Sequence, residues 1–569
     1  MAVEAPEFAV ESMLTRVNMS RWFLCVAVTI VCISLIGAFR IGIDRGLRDT
    51  IGTGSWGRVL FGVGAAITQM EDGGYGYTMS TVIETVLKYG GLTADPEILA
   101  RLGAKFPDNL RDTVLINAAI DKAAKFRWPF NPDEAIRGSG GDDLGFVDYV
   151  RLSFLVFGHK IQYLYYTYFL IFGVSAAVFL WTFRSRPAQL TLVVIICVAQ
   201  IALLSSNLVT FNNLGSIADP RFLGILAIVP GLHLGCLILD RLPPSFGNVA
   251  LAIVQSIILV FAIWIRASAV WVILAVAVLA GFLAMRGLLK RRLELPRIWA
   301  AGVLFATLAS YMVWLTMALH PIYKSGEEIS HHVFWHSIFY QLQFNPRWNE
   351  KYAASYDFAT YDELPTLAAR KYLLRHPPSD PDAIYLTPDR KYLKVAAAET
   401  YIRKAFFEIF SNDPRFVLES ILIYNPLSMM TILAGYASSL DAGVEQHPMP
   451  IDMYMNFERQ LNKSWQRFTR TTAIQLAGVV VVFLVLAGFL ATENCQLRLF
   501  KRAALLVTGG FIVSLSPILL TAPSIGVMGE QYFALLIMLG CWVVLAFGTG
   551  LRVLLGRAPQ VTDGTPRAP

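Results

Sequence analysis

Charge is scarce in this chain. Asp, Glu, Lys and Arg make up 16% of 569 residues, against 55% hydrophobic residues and a mean hydropathy of +0.52. A soluble enzyme of this length needs more charge to cover its surface. A disordered chain needs fewer apolar residues, and a fibrous chain needs a short repeat, so all three are excluded. Cysteine is also rare. Cys25, Cys32, Cys197, Cys236 and Cys541 fall in long apolar runs and Cys495 in a short basic segment. That distribution leaves no disulfide framework for an external domain and no CxxC metal spacing. No internal repeat is apparent, so the inverted-repeat signature of many transporters is missing. The net charge of +7 does not point to nucleic acid. In a membrane protein, surplus Lys and Arg collect on cytoplasmic loops.

Long apolar runs, by contrast, are plentiful. Crossing about 30 Å of hydrocarbon takes roughly 20 residues. Runs of that kind lie at 22–40, 161–183, 188–208, 222–240, 248–266, 269–285, 298–319, 473–491, 503–521 and 532–550. The expected fold is therefore an all-α polytopic membrane protein of about ten transmembrane helices. The first run is too long for a signal-peptide core and is preceded by Glu4, Glu7 and Glu11, so it reads as a retained signal anchor. Arg184 and Arg186, the basic group 286–297, and Arg498, Lys501 and Arg502 read as loops on one side if the N-terminus is cytoplasmic. Arg552 and Arg557 place the C-terminus there too. Residues 417–436 also look apolar enough to span. Glu419 and the Asn425-Pro426 break favour an interfacial or re-entrant segment.

The implied organisation is a cytoplasmic start and first helix over 1–40, an external loop over 41–160, a bundle over 161–319, a second external insert over 320–472, C-terminal helices over 473–550 and a cytoplasmic tail over 551–569. The first external loop reads as short amphipathic helices at 78–90, 95–105 and 109–125, preceded by an apolar stretch, 58–69, expected at the membrane interface. Acids cluster beside glycines at Glu71-Asp72-Gly73-Gly74 and at Gly140-Gly141-Asp142-Asp143, and Asp44 follows the first span. Glycine lets backbone approach a ligand, and a carboxylate there serves as a general base or holds a divalent metal. Asp-Gly is also ordinary turn chemistry.

An early anchor helix, a long acid-bearing external loop, a bundle with short connections and a late external domain together resemble the GT-C superfamily of integral-membrane glycosyltransferases. The residues carrying the resemblance are Asp44, Glu71-Asp72, and Asp142-Asp143 before the segment GFVDYVRLSFLVFG. The resemblance implies a GT-C-like bundle and transfer of a sugar from a polyprenyl-phosphate donor at the outer face of the inner membrane. The acceptor would be a cell-envelope glycan or lipid. It also implies that a carboxylate of the first external loop activates the acceptor hydroxyl. Asp44, Asp72 and Asp143 are the candidate catalytic bases, with Glu71 and Asp142 beside them as substrate contacts. The clean acidic pair that several such families carry directly after the first helix is absent, because Asp44 stands there alone.

Cations at the outer ends of spans are the complementary group. Arg221 opens the fourth span and Arg266 ends the fifth. Either is placed to pair with a lipid phosphate; the alternatives are snorkelling to headgroups or pairing with a nearby acid, as Asp219 stands beside Arg221. In the second insert, half of the eight histidines fall within 320–336. On a helix, Glu328, His332 and His336 share one face at metal-ligand spacing, although Val333 breaks the HExxH pattern. His336 also lies beside Phe334-Trp335, a pair suited to sugar stacking. Two other functions compete: a polysaccharide polymerase or ligase of the O-antigen type, whose large loop comes late, and a transporter or flippase, which usually needs mid-membrane acids.

Overall fold

The computed structural model describes residues 7–49, 59, 62–63, 66–67, 117, 120–121, 144–205, 220–290, 298–318, 334–356, 364–380, 384, 393, 395–429, 470–492, 494–520 and 529–555. Among them the regular structure is helical. In chain order the main helices are α1 (Glu7–Asp49), α2 (Leu144–Phe157), α3 (Tyr163–Thr182), α4 (Pro187–Ser205), α5 (Ile228–Leu239), α6 (Phe246–Ile265), α7 (Trp271–Leu289) and α8 (Trp299–Ala318). They continue with α9 (Phe334–Tyr340), α10 (Leu364–Arg375), α11 (Val395–Asn412), α12 (Pro414–Glu419), α13 (Arg470–Thr492), α14 (Asn494–Ser514), α15 (Ser516–Leu520) and α16 (Gly529–Leu554). Seven segments among the described residues are long and apolar enough to cross a membrane: Arg21–Ile43, Tyr163–Thr182, Pro187–Leu204, Phe246–Ile265, Ala267–Leu289, Trp299–Ala318 and Gly529–Leu554. Two shorter apolar helices, Gly224–Leu239 and Ala477–Thr492, accompany them. The chain is thus a helical, multi-pass membrane protein.

The bundle is apolar on the outside as well as the inside. Ile33, Ile36, Val313 and Phe282 are exposed large side chains, while Phe23, Phe172, Phe179 and Phe222 fill the core. An apolar exterior is what lipid, rather than water, requires. Polar pairs fix the packing register within this core. Along α3, Tyr168, Ser175 and Thr182 recur every seven residues and so share a face. Gln200 of α4 donates to Tyr168 Oη at 2.6 Å. Ser175 Oγ donates to Gln255 Oε1 of α6 at 2.7 Å, and Gln255 Nε2 returns a bond to the Ser175 carbonyl at 2.8 Å. Thr182 Oγ1 lies 2.9 Å from His233 Nε2 of α5. One helix is thereby keyed to three others by groups that hydrocarbon cannot satisfy.

Antiparallel alternation sorts the helix ends. At one end Arg186 pairs with Asp240 at 3.0 Å, Gln189 donates to the same carboxylate at 2.5 Å, and the Ala188 amide reaches Gln496 Oε1 at 3.3 Å. Arg498, Lys501 and Arg502 lie on the opening turns of α14 rather than in a loop. The reason is amphipathic spacing: Leu497, Phe500, Ala503, Ala504 and Val507 are buried at three- and four-residue intervals, and the cations occupy the opposite face. The stretch 58–69 is also corrected. Its described positions Val59, Val63, Ala66 and Ile67 are buried in the bundle core, not laid along the interface. Asn117 ties the same loop to the bundle, donating to Gln162 Oε1 and accepting from the Ile161 amide, both at 2.9 Å.

The second insert has its own core around Trp348, Phe339, Tyr356, Leu364, Ile402 and Phe416. It joins the bundle through Asn425, which donates to Gln341 Oε1 at 2.7 Å and to the Leu519 carbonyl of α15 at 3.1 Å. The insert is therefore fastened to the end of the bundle opposite the Arg186–Asp240 pair. Segment 417–436 is helical as far as 429, and its later residues lie outside the described ones.

Candidate functional site

The same end of the bundle holds a buried polar cluster. Helix α6 stops at Arg266, whose backbone is extended (φ −143°, ψ 101°), and a short 3-10 turn, Ala267–Val270, leads into α7. That break turns Arg266, Ser268 and Trp271 toward the first turn of α16, where Glu530 is 1% exposed. Arg266 Nε donates to Ser268 Oγ at 3.1 Å, Ser268 Oγ donates to Glu530 Oε1 at 3.0 Å, and Trp271 Nε1 donates to Glu530 Oε2 at 2.8 Å. A carboxylate withdrawn from water is costly unless both oxygens are hydrogen-bonded, and here each receives a donor. The α16 N-terminus adds a favourable dipole.

Close backbone approach makes room for the cluster. Gly224 lies against Glu530, and a Cβ there would sit 1.9 Å from Glu530 Oε1. Gly145 lets α2 touch α6, since its Cβ would fall 2.2 Å from the Trp264 carbonyl. This contact brings Asp148 of α2 to Trp264, whose Nε1 donates to Asp148 Oδ2 at 2.7 Å. Two indoles and two carboxylates therefore flank the α6–α7 break.

Below the cluster runs an apolar groove of about 300 Å³ between α5, α7, α14 and α16. Trp271 stands at its head, and Phe282 lines its far part. At 1.5 Å per helical residue these are about 17 Å apart, roughly one leaflet of hydrocarbon. Val278, Phe282 and Leu505 are both lining and exposed, so the groove opens onto the bundle surface between α7 and α14. Gly509 and Gly510 line it with no heavy atom near their would-be Cβ positions.

Of the residues singled out in the sequence, Arg266 is in this cluster. Asp44 lies on α1, one residue past the apolar window Arg21–Ile43, because the helix continues to Asp49. Arg221 lies on the turn Pro220–Leu223 that packs near the cluster; the side chains of Asp44 and Arg221 are outside the described ones. Glu71, Asp72, Asp142, Asp143, Glu328 and His332 also fall outside the described residues. His336 lies in the first turn of α9, where the backbone amides of Trp335 and His336 donate to Glu399 Oε2 and Oε1 at 2.8 and 3.0 Å. Among the described residues no group of three or more metal-ligating side chains occurs. Sequence reasoning missed Glu530. Its signal was the triplet Gly529-Glu530-Gln531 immediately before an apolar run. Placing that run at 532–550 set the acid in a loop, whereas α16 begins at Gly529.

No known family model, curated protein or solved structure matches the chain.

Proposed function

We propose that this protein is an integral-membrane glycosyltransferase of the GT-C type. It would transfer a sugar from a polyprenyl-phosphate donor to a cell-envelope glycan or lipid at the outer face of the inner membrane. The observation supporting this reading is the apolar groove headed by Trp271, whose Nε1 donates to Glu530 beside Ser268 and Arg266, at the bundle end to which the insert is fastened. In this reading the prenyl chain lies along α7 and α14, and its phosphate meets Arg266. The acceptor oxygen bonds to the anomeric carbon and the anomeric carbon–oxygen bond to the phosphate breaks. The hydroxyl proton goes to a carboxylate of the first external loop, with Asp44, Asp72 and Asp143 the candidates. A sugar hydroxyl needs that base, while the phosphate leaves readily if its charge is held. Glu71, Asp142, Arg221 and His336 are assigned to substrate contact. Glu328, His332 and His336 would hold a divalent metal, if the reaction uses one.

The topology belongs to the same proposal. Seven long spans, together with Pro220–Leu239, α13 and α14, make ten passes with both termini cytoplasmic, and the basic end faces the cytosol. A transporter or flippase is the second reading. Glu530 is the observation behind it, an acid buried in the first turn of a spanning helix, although at the helix end rather than at mid-membrane. Purified protein in lipid nanodiscs, supplied with a radiolabelled polyprenyl-phosphate sugar, separates the two. Sugar transfer that stops on Asp→Asn at 44, 72 or 143 supports the enzyme. Lipid movement without bond cleavage supports the transporter.

A further inference from the structure

The helix that closes the insert has two unlike faces. Asp413 caps it, its Oδ1 accepting from the Phe416 amide at 3.0 Å. After α12 the chain makes a π-turn over Ser420–Tyr424, in which the Asn425 amide donates to the Ser420 carbonyl. A π-turn aligns residues five apart rather than four. Ser420 and Asn425 therefore both turn inward. Ser420 Oγ accepts from Asn345 Nδ2 at 3.0 Å, and Asn425 holds Gln341 and the Leu519 carbonyl. By the same geometry Leu422 and Leu427 both turn outward. Leu418, Leu422, Ile423 and Leu427 are 48%, 63%, 55% and 46% exposed and form one continuous apolar stripe.

We propose that this stripe rests in the outer leaflet of the bilayer, so that the insert is docked on the membrane through an interfacial helix. Three observations choose lipid as the occupant. The helix begins in the insert core with Phe416 and Val417 and ends in the bundle core with Met429, so its outer face continues the bundle's lipid-facing surface. The tether to α15 holds it at the level where the bundle helices end. At the other end of the helix Arg415, its side chain 83% exposed while bonded to Glu419, supplies a flanking cation. Apolar stripe, flanking cation and membrane-end anchor are the elements of an interfacial helix.

The test uses the full-length protein in phosphatidylcholine/phosphatidylglycerol nanodiscs, on a background lacking the six native cysteines. A fluorescent label is placed in turn at Leu422→Cys, Leu427→Cys and, as control, the exposed Ser379→Cys. Lipids carrying a nitroxide near the headgroup should quench the 422 and 427 labels at least about twofold more than the 379 label, with aqueous iodide giving the reverse order. Two exposed reporters on one stripe keep the result independent of either substitution. Iodide quenching at 422 and 427 equal to that at 379, without lipid quenching, overturns the proposal. So does shielding from both quenchers that depends on protein concentration, which would assign the stripe to a second copy of the chain.

Discussion

At the scale of single residues, the cluster at the α6–α7 break behaves as a unit because each member satisfies another. Gly224→Ala is the most economical probe of it. One methyl group would have to displace the Glu530 carboxylate, and we expect sugar transfer to fall roughly 100-fold while membrane insertion is unchanged. Retained transfer would detach the cluster from the chemistry. A second residue-scale expectation concerns pH. In the insert, Lys351 Nζ lies 2.5 Å from Asp413 Oδ2. Chiefly that bond, helped by the Phe416 amide, holds the Asp413 carboxyl below the usual carboxylate range. A depressed carboxylate stabilises the fold above its unfolded value, near 3.9, and the contribution disappears as pH falls through the lower folded value. Thermal stability of the insert should therefore drop more steeply below about pH 4 in the wild type than in Lys351→Met. Parallel acid profiles would contradict the assignment. Arg266 was legible in the sequence because a cation at a span end expected to face outward breaks the charge bias. Glu530 was not, because an acid abutting an apolar run looks like the last residue of a loop until its neighbours in space are known.

At the scale of elements, packing decides what periodicity could only outline. Seven of the ten expected spans are helices long and apolar enough to cross a membrane, and these were readable from hydropathy, since run length is set by bilayer thickness. The basic segment 498–502 was not read as helix, since its buried partners lie on helices distant in sequence. The groove was invisible for the same reason: Gly231 and Gly235 sit on α5, Gly509 and Gly510 on α14, and only assembly makes them adjacent walls. Gly510→Phe places a ring in open groove space, so we expect a photoactivatable prenyl-phosphate probe to lose its labelling of α7 and α14 peptides. Unchanged labelling would exclude the groove as the lipid site. The register pins along α3 make a separate stability claim. Ser175→Ala removes one bond and leaves Gln255 Oε1 without its donor, which should cost about 0.6–1.7 kcal/mol in a steric-trap unfolding measurement in bilayer. In the insert, Trp348→Ala empties the centre of a compact aromatic core and should cost about 3–5 kcal/mol by the same readout.

At the scale of the whole molecule, the structure divides a membrane bundle by its two ends. One end gathers Arg186, Asp240 and the cations of α14. The other holds the Arg266–Glu530 cluster, the groove head and the anchor of the insert. Two separate hydrophobic cores accompany these ends, one in the bundle and one among residues 338–417. The acids of the loop expected to be external were legible as candidates only by type, and Glu71, Asp72, Asp142 and Asp143 lie outside the described residues. The proposed transfer depends on a lipid-linked sugar entering that groove head-first toward Arg266. Its most direct test is the rate of radiolabelled sugar transfer from polyprenyl phosphate in nanodiscs, compared between the wild type and Arg266→Ala. We predict turnover in the wild type and a loss of about 100-fold or more in the variant, with insertion intact. Equal transfer by both proteins, or lipid movement with the sugar–phosphate bond unbroken, would contradict it.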